Sequence, residues 1–159
     1  MSFLDDYVGL HYRHPDHYVV GREKIREYAI AVKNDDPPCF DEEAAAELGH
    51  ETLVAPLTFI SVFGYQAQRA MFAAANIAIT DAQIVQVDQA LKFVRPIRAG
   101  DTLFCDVWID SVRKAHGTDI IVTRNVVSNG NGDVVQESYT TLAGRSEEDG
   151  ESGFSDDTA

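Results

Sequence analysis

The sequence predicts an α+β domain in which one long buried helix is enclosed by an antiparallel sheet. Three observations lead there. Residues 56–76, PLTFISVFGYQAQRAMFAAAN, place Leu57, Phe59, Ile60, Val62, Phe63, Ala67, Ala70, Met71, Phe72 and Ala74 on more than one helical face. A soluble helix of that kind is buried rather than merely amphipathic, and a run of this length rises about 30 Å, enough to cross a small domain. From Ala82 onward the apolar period changes from helical to alternating. That second half is punctuated by Pro96 with Ala99-Gly100-Asp101, by His116-Gly117 and by Asn129-Gly130-Asn131-Gly132, the residues of a strand meander.

Taken in order, residues 1–16 read as irregular, because Pro15 blocks continuation of a helix. His11, His14 and His17 recur at intervals of three, yet Pro15 also prevents a single ligand-bearing helix face. No cysteine or acid completes a usual ligand set, so no metal is expected. His17 to Val20 reads as a short strand, and Gly21 opens a helix whose Ile25, Tyr28, Ala29 and Val32 share one face. Residues 34–40, NDDPPCF, form a loop by composition. Asp41 then caps a short helix, DEEAAAELG, with acids in its first turn and Gly49 as its stop. Pro56 suits the first turn of the long helix, where its missing N–H would be unpaired anyway. Gln66, Gln68 and Arg69 interrupt the apolar run, which excludes a bilayer span.

Residues 82–97 alternate with Val85, Val87, Leu91 and Phe93 on one face and Ile84, Ala90 and Val94 on the other, the pattern of a strand covered on both sides. Residues 102–112 set Leu103, Cys105, Val107 and Ile109 against Phe104 and Trp108. Residues 119–128 and 134–143 complete the meander.

The chain of 159 residues suits one domain, assigned to residues 1–145. Residues 146–159 carry Glu147, Glu148, Asp149, Glu151, Asp156 and Asp157 and read as an acidic, disordered tail. Formal charge is −13 with no basic stripe, so nucleic acid is excluded as a partner. Cys39 and Cys105 lie far apart and are expected as reduced thiols, and the acidic N-terminus lacks a signal pattern. A cytoplasmic location is therefore expected.

The segment KFVRPIRAGDTLFCDV, with its Pro-x-x-x-Gly-Asp turn, resembles the MaoC-like branch of the hot-dog fold. HYRHPDHYVVGREKIREYA, NDDPPCFDEEAAAELG, APLTFISVFGYQAQ, QIVQVDQALKF and ESYTTLAGR are similar to the HadA-type subunit of mycobacterial (3R)-hydroxyacyl-acyl-carrier-protein (ACP) dehydratases, a likeness over about residues 7–145. The resemblance implies a single hot-dog fold and dehydration of 3-hydroxyacyl thioesters in type II fatty-acid elongation, here of mycolic-acid precursors, without a cofactor.

Catalysing members carry Asp-x-Asn-Pro-apolar-His in the loop. A histidine of near-neutral pKa removes the α-proton, a carboxylate manages the departing hydroxyl, and backbone N–H groups at the start of the buried helix face the enolate. With Pro37 as anchor, Asn34 falls at the Asp position, Asp36 at the Asn position, Pro38 at the apolar position and Cys39 at the His position. A free thiol of pKa about 8.5 is a poor general base. The resemblance thus implies a subunit that lines an acyl channel, through Pro56, Leu57, Phe59, Phe63, Ala67, Ala70 and Met71, while a motif-bearing hot-dog partner supplies Asp and His. It also implies an acyl-ACP substrate, heterodimers with that partner, and homodimers when the chain is alone. Two alternatives stay open: a self-sufficient homodimeric enoyl-CoA hydratase, and a non-catalytic acyl-thioester binding module. Lys92, Arg95, Arg98, Arg113 and Lys114 are the basic candidates for carrier docking.

Overall fold

A computed structural model describes residues 2–146 and 152–158. In chain order the strands are β1 (His11–Arg13), β2 (Tyr18–Val19), β3 (Ile77–Ile79), β4 (Ile84–Phe93), β5 (Thr102–Ala115), β6 (Thr118–Asn129), β7 (Val134–Arg145) and β8 (Phe154–Asp156). The α-helices are α1 (Arg22–Ala31), α2 (Glu42–Glu47) and α3 (Ile60–Ala74). The main sheet runs β1-β5-β6-β7-β4, with β2 also on β5, and every pairing is antiparallel. β3 and β8 form a separate pair.

The α+β architecture with a helix packed on an antiparallel sheet is as expected, and it is the hot-dog arrangement. α3 buries Ile60, Phe63, Gly64, Ala67, Gln68, Met71 and Phe72, a spacing of three and four that makes one broad inward stripe. The stripe faces Leu103, Cys105, Val107 and Ile109, alternate residues of β5 that are fully buried. No helix among the described residues is long and apolar enough to cross a membrane.

Four local expectations are corrected. The long helix starts at Ile60, not Pro56: the Ala55 N–H is bound to the Ile97 carbonyl at 2.8 Å, so the chain arrives extended. Residues 56–59 then make a separate turn, closed by the Phe59 N–H on the Pro56 carbonyl at 2.9 Å. At the other end Asn76 takes φ 56°, and a left-handed residue stops a helix. The N-terminal segment is not irregular throughout, because Ser2 caps a 3-10 turn over Phe3–Tyr7 and β1 pairs with β5.

β4 is not covered on both sides; it is an edge strand, with Val85 and Val87 exposed. A bulge between Gln86 and Asp88 breaks its alternation, so Ile84, Gln86, Gln89, Leu91 and Phe93 all stand opposite the inward residues of β7. The expected tail is the fourth correction. Residues 147–151 and 159 lie outside the described residues, whereas 152–158 carry β8, whose Phe154 is fully buried and supplies the apolar surface that the acids lack.

Candidate functional site

The degenerate loop is built from the end of α1. Lys33 takes φ 57°, which turns the chain back so that the Asn34 N–H reaches the Ala29 carbonyl at 2.8 Å. The Asn34 side-chain oxygen accepts the Asp36 N–H at 2.9 Å, so this side chain is tied to the backbone. Pro37–Cys39 make one 3-10 turn, and the Pro38 carbonyl accepts the Val54 N–H at 3.0 Å, fastening the loop to the extended segment that leads into α3. Asp41 caps α2 as expected, accepting the N–H groups of Glu43 and Ala44.

This turn drives Cys39 inward. It is 4% exposed and joins the core, while Asp36 stays in solvent. Burial pushes the Cys39 thiol above its ordinary value, and the Asp36 carboxylate adds to the rise. The thiol is thus further from being a base than a free cysteine.

Around the loop lies a cavity of about 530 Å³. Asn34, Asp36 and Cys39 line it together with Pro56 and Leu57 from the turn before α3. Leu48, Val54 and His50 complete much of the wall. Sequence reasoning missed His50, which follows Gly49 at the stop of α2 and sits away from the loop in sequence; only the fold brings it to Asp36's cavity. The other four histidines are elsewhere: His11 binds Asp106 and stacks on Trp108, His14 packs near Phe63, His17 lies beside Phe104, and His116 sits in the turn between β5 and β6.

Three of the amides expected to face an enolate are engaged in turns. Those of Phe59, Ser61 and Val62 bind the carbonyls of Pro56, Thr58 and Phe59 at 2.9–3.0 Å. The Tyr28 hydroxyl donates to the Thr58 carbonyl at 2.8 Å, which holds this turn against α1.

The expected channel residues separate into three groups. Pro56 and Leu57 line the loop cavity. Phe59, Phe63, Ala67 and Met71 are core side chains, 0–2% exposed. Ala70 lines a separate cavity of about 410 Å³ beside Phe72 and Ile77.

A different lining emerges between α3 and the β4 side of the sheet. Thr123, Asn125, Gln136, Ser138 and Thr140 point inward from β6 and β7 and are buried. The Thr123 hydroxyl donates to Gln68 Oε1 at 2.8 Å, and the Asn125 side-chain amide donates to the Gly64 carbonyl at 3.2 Å. An alanine methyl at Gly64 would meet that amide at 3.3 Å, so the small residue permits the contact. Ser61, Tyr65, Gln86 and Gln89 join Gln68, Asn125, Ser138 and Thr140 around a cavity of about 190 Å³. Beside it lies a cavity of about 390 Å³ with Ile79, Ile84 and Leu142 in its wall. The first offers hydroxyls and amides without charge; the second offers mainly aliphatic surface, with the Arg69–Asp81 ion pair at 3.6 Å also in its wall.

A family model described as "FAS1-like, dehydratase domain region" matches residues 6–138. A UPF0336 protein of Mycobacterium tuberculosis strain H37Rv is 67% identical over 159 residues, covering 100% of both chains. Among solved structures, a chain of the C-terminally truncated HadBC (3R-hydroxyacyl-ACP dehydratase) complex from Mycobacterium tuberculosis superposes with TM-score 0.80 at 47% identity, over 87% of this chain and 98% of that one. A MaoC-like dehydratase matches with TM-score 0.83 at 38% identity, over 91% of this chain and 44% of that chain. With a family model spanning most of its length, full-length relatives at this identity and the same helix-on-sheet fold, the chain belongs to the FAS1-like dehydratase-region family of hot-dog proteins.

Proposed function

We propose that this chain is the acyl-binding subunit of a two-chain (3R)-3-hydroxyacyl-ACP dehydratase in type II fatty-acid elongation, acting on mycolic-acid precursors with the catalytic Asp and His on a hot-dog partner. The observation that carries it is Cys39: where a base is needed stands a buried thiol whose pKa is raised, beside an Asn34 whose side chain is bound to its own loop. The similarity to a chain of the HadBC complex supports a two-chain assembly.

β4 supports it too. An edge strand with Val85 and Val87 exposed presents unpaired backbone groups and apolar side chains to a second sheet. In this reading the thioester enters where the partner meets the β4 edge. Gln86 and Asn125 face its polar end, and the chain runs on past Ile84 and Leu142. The test is reconstitution: this chain with a hot-dog partner carrying the intact Asp and His should dehydrate long 3-hydroxyacyl thioesters at a rate that neither shows alone. Equal rates for the partner alone would sink the reading.

One observation favours a second reading. His50 shares a cavity wall with Asp36, so a self-sufficient hydratase would have a base and a carboxylate at one site. Brisk hydration of enoyl-CoA by the lone chain, abolished in His50→Ala, would establish it.

A further inference from the structure

The two cavities between α3 and β4 share Tyr65, Gln68 and Gln86 as walls, so the polar one adjoins the more apolar one. The apolar end is bounded by Ile79 and Ile84, and directly behind these stands β8. Ile79 pairs with Phe154 in register. A methyl added at Gly153 would strike Ile84 Cγ1 and the Gly144 Cα, both at 2.8 Å. Phe154 is fully buried, its ring centroid 5.9 Å from that of Phe72. It presses so closely on Gly144 that a Cβ there would lie 2.6 Å from the ring. Backbone bonds of 2.8 Å from Thr80 to Gly153, from Gly153 to Arg145 and from Asp157 to Asn76 hold the strand in place.

Gly144 thus makes room for one aromatic ring that stands behind Ile79 and Ile84, two residues in the wall of the second cavity. We propose that Phe154 is a plug: it ends the acyl lane and sets the longest chain that the lane accepts. The inference rests on the reading of this cavity as an acyl site. A ring that merely fills core would affect all chain lengths alike, whereas a plug would change their order.

The test uses the full chain with Phe154→Leu, which shortens the plug mildly, and Phe154→Trp, which extends it. Saturated fatty acids from octanoate to stearate are scored by displacement of bound cis-parinaric acid. The same acyl lengths are then scored as 3-hydroxyacyl thioesters in the partner-reconstituted enzyme. Phe154→Leu should raise the long-to-short preference about tenfold, the effect of roughly two more buried methylenes. Phe154→Trp should lower it. An unchanged length profile in both variants overturns the plug while leaving the acyl-subunit reading standing. Failure of the unaltered chain both to bind any acid and to support activity with the partner removes that reading and the plug with it.

Discussion

At the scale of single residues, the loop and the core give opposite expectations for substitution. Burial, helped by the Asp36 charge, raises the Cys39 thiol and so lowers its thiolate fraction below that of a free cysteine. Iodoacetamide at neutral pH should therefore label it more slowly than it labels free cysteine, and labelling as fast as the free amino acid would contradict its burial. Cys39→Ala should change partner-dependent turnover by less than about twofold, since burial of a small apolar side chain is all that it loses. Phe63, 2% exposed and 5.4 Å from the Tyr18 ring, is different. Phe63→Ala should cost about 3–5 kcal/mol in urea unfolding, and a loss below about 1 kcal/mol would show that the ring lines open space. The identities of Asn34 and Cys39 at the loop could be read from the sequence, because Pro37 sets the register. Asn125 and Thr140 could not: an amide or hydroxyl alternating in a strand looks solvent-facing until the helix that covers it is placed.

Among the elements, β8 reverses an expectation drawn from composition. An acidic stretch cannot order itself, but one phenylalanine placed between Gly144 and Phe72 is enough to dock the residues around it. Truncation after Arg145 should cost about 3 kcal/mol, the lower bound for a lost buried Phe, and so lower Tm by roughly 6–12 °C; a melting curve that does not move would show β8 to be undocked. α3 starts at Ile60, not at the Pro56 where its apolar run opens, since Pro56 is as good a turn former as a helix opener. In β4 a perfect alternation concealed a bulge, which no spacing rule reports. Val87→Lys on that edge, 57% exposed, should leave the lone chain's stability within about 0.5 kcal/mol. The same change should weaken association with the partner, read as loss of co-elution; undiminished co-elution would place the interface elsewhere.

For the molecule as a whole, the meander was plain from its turns: His116 and Gly117 both take positive φ between β5 and β6, and Gly132 does so between β6 and β7. What could not be read was how the polar half of the sheet meets the helix, because that depends on strand order across the sheet rather than along the chain. At this scale the reconstituted pair should show its largest gain for the longest acyl chains, measured as the ratio of kcat/KM between long and short thioesters. A gain equal for all lengths would mean that this subunit only stabilises its partner.

The sheet order also has a consequence during synthesis. α3 is complete at Ala74, yet the β5 face that covers it begins at Thr102 and the sheet closes only with β7, ending at Arg145. At ribosomal speeds of about 5–20 residues per second, the greasy face of α3 waits roughly 4–14 s for its cover. β1 waits longer still, because its partner on β5 lies 97 residues downstream at the His11–Trp108 pair. The nascent chain is thus a client for a holding chaperone over that interval, and chains arrested before β7 should pellet while the finished protein stays in solution.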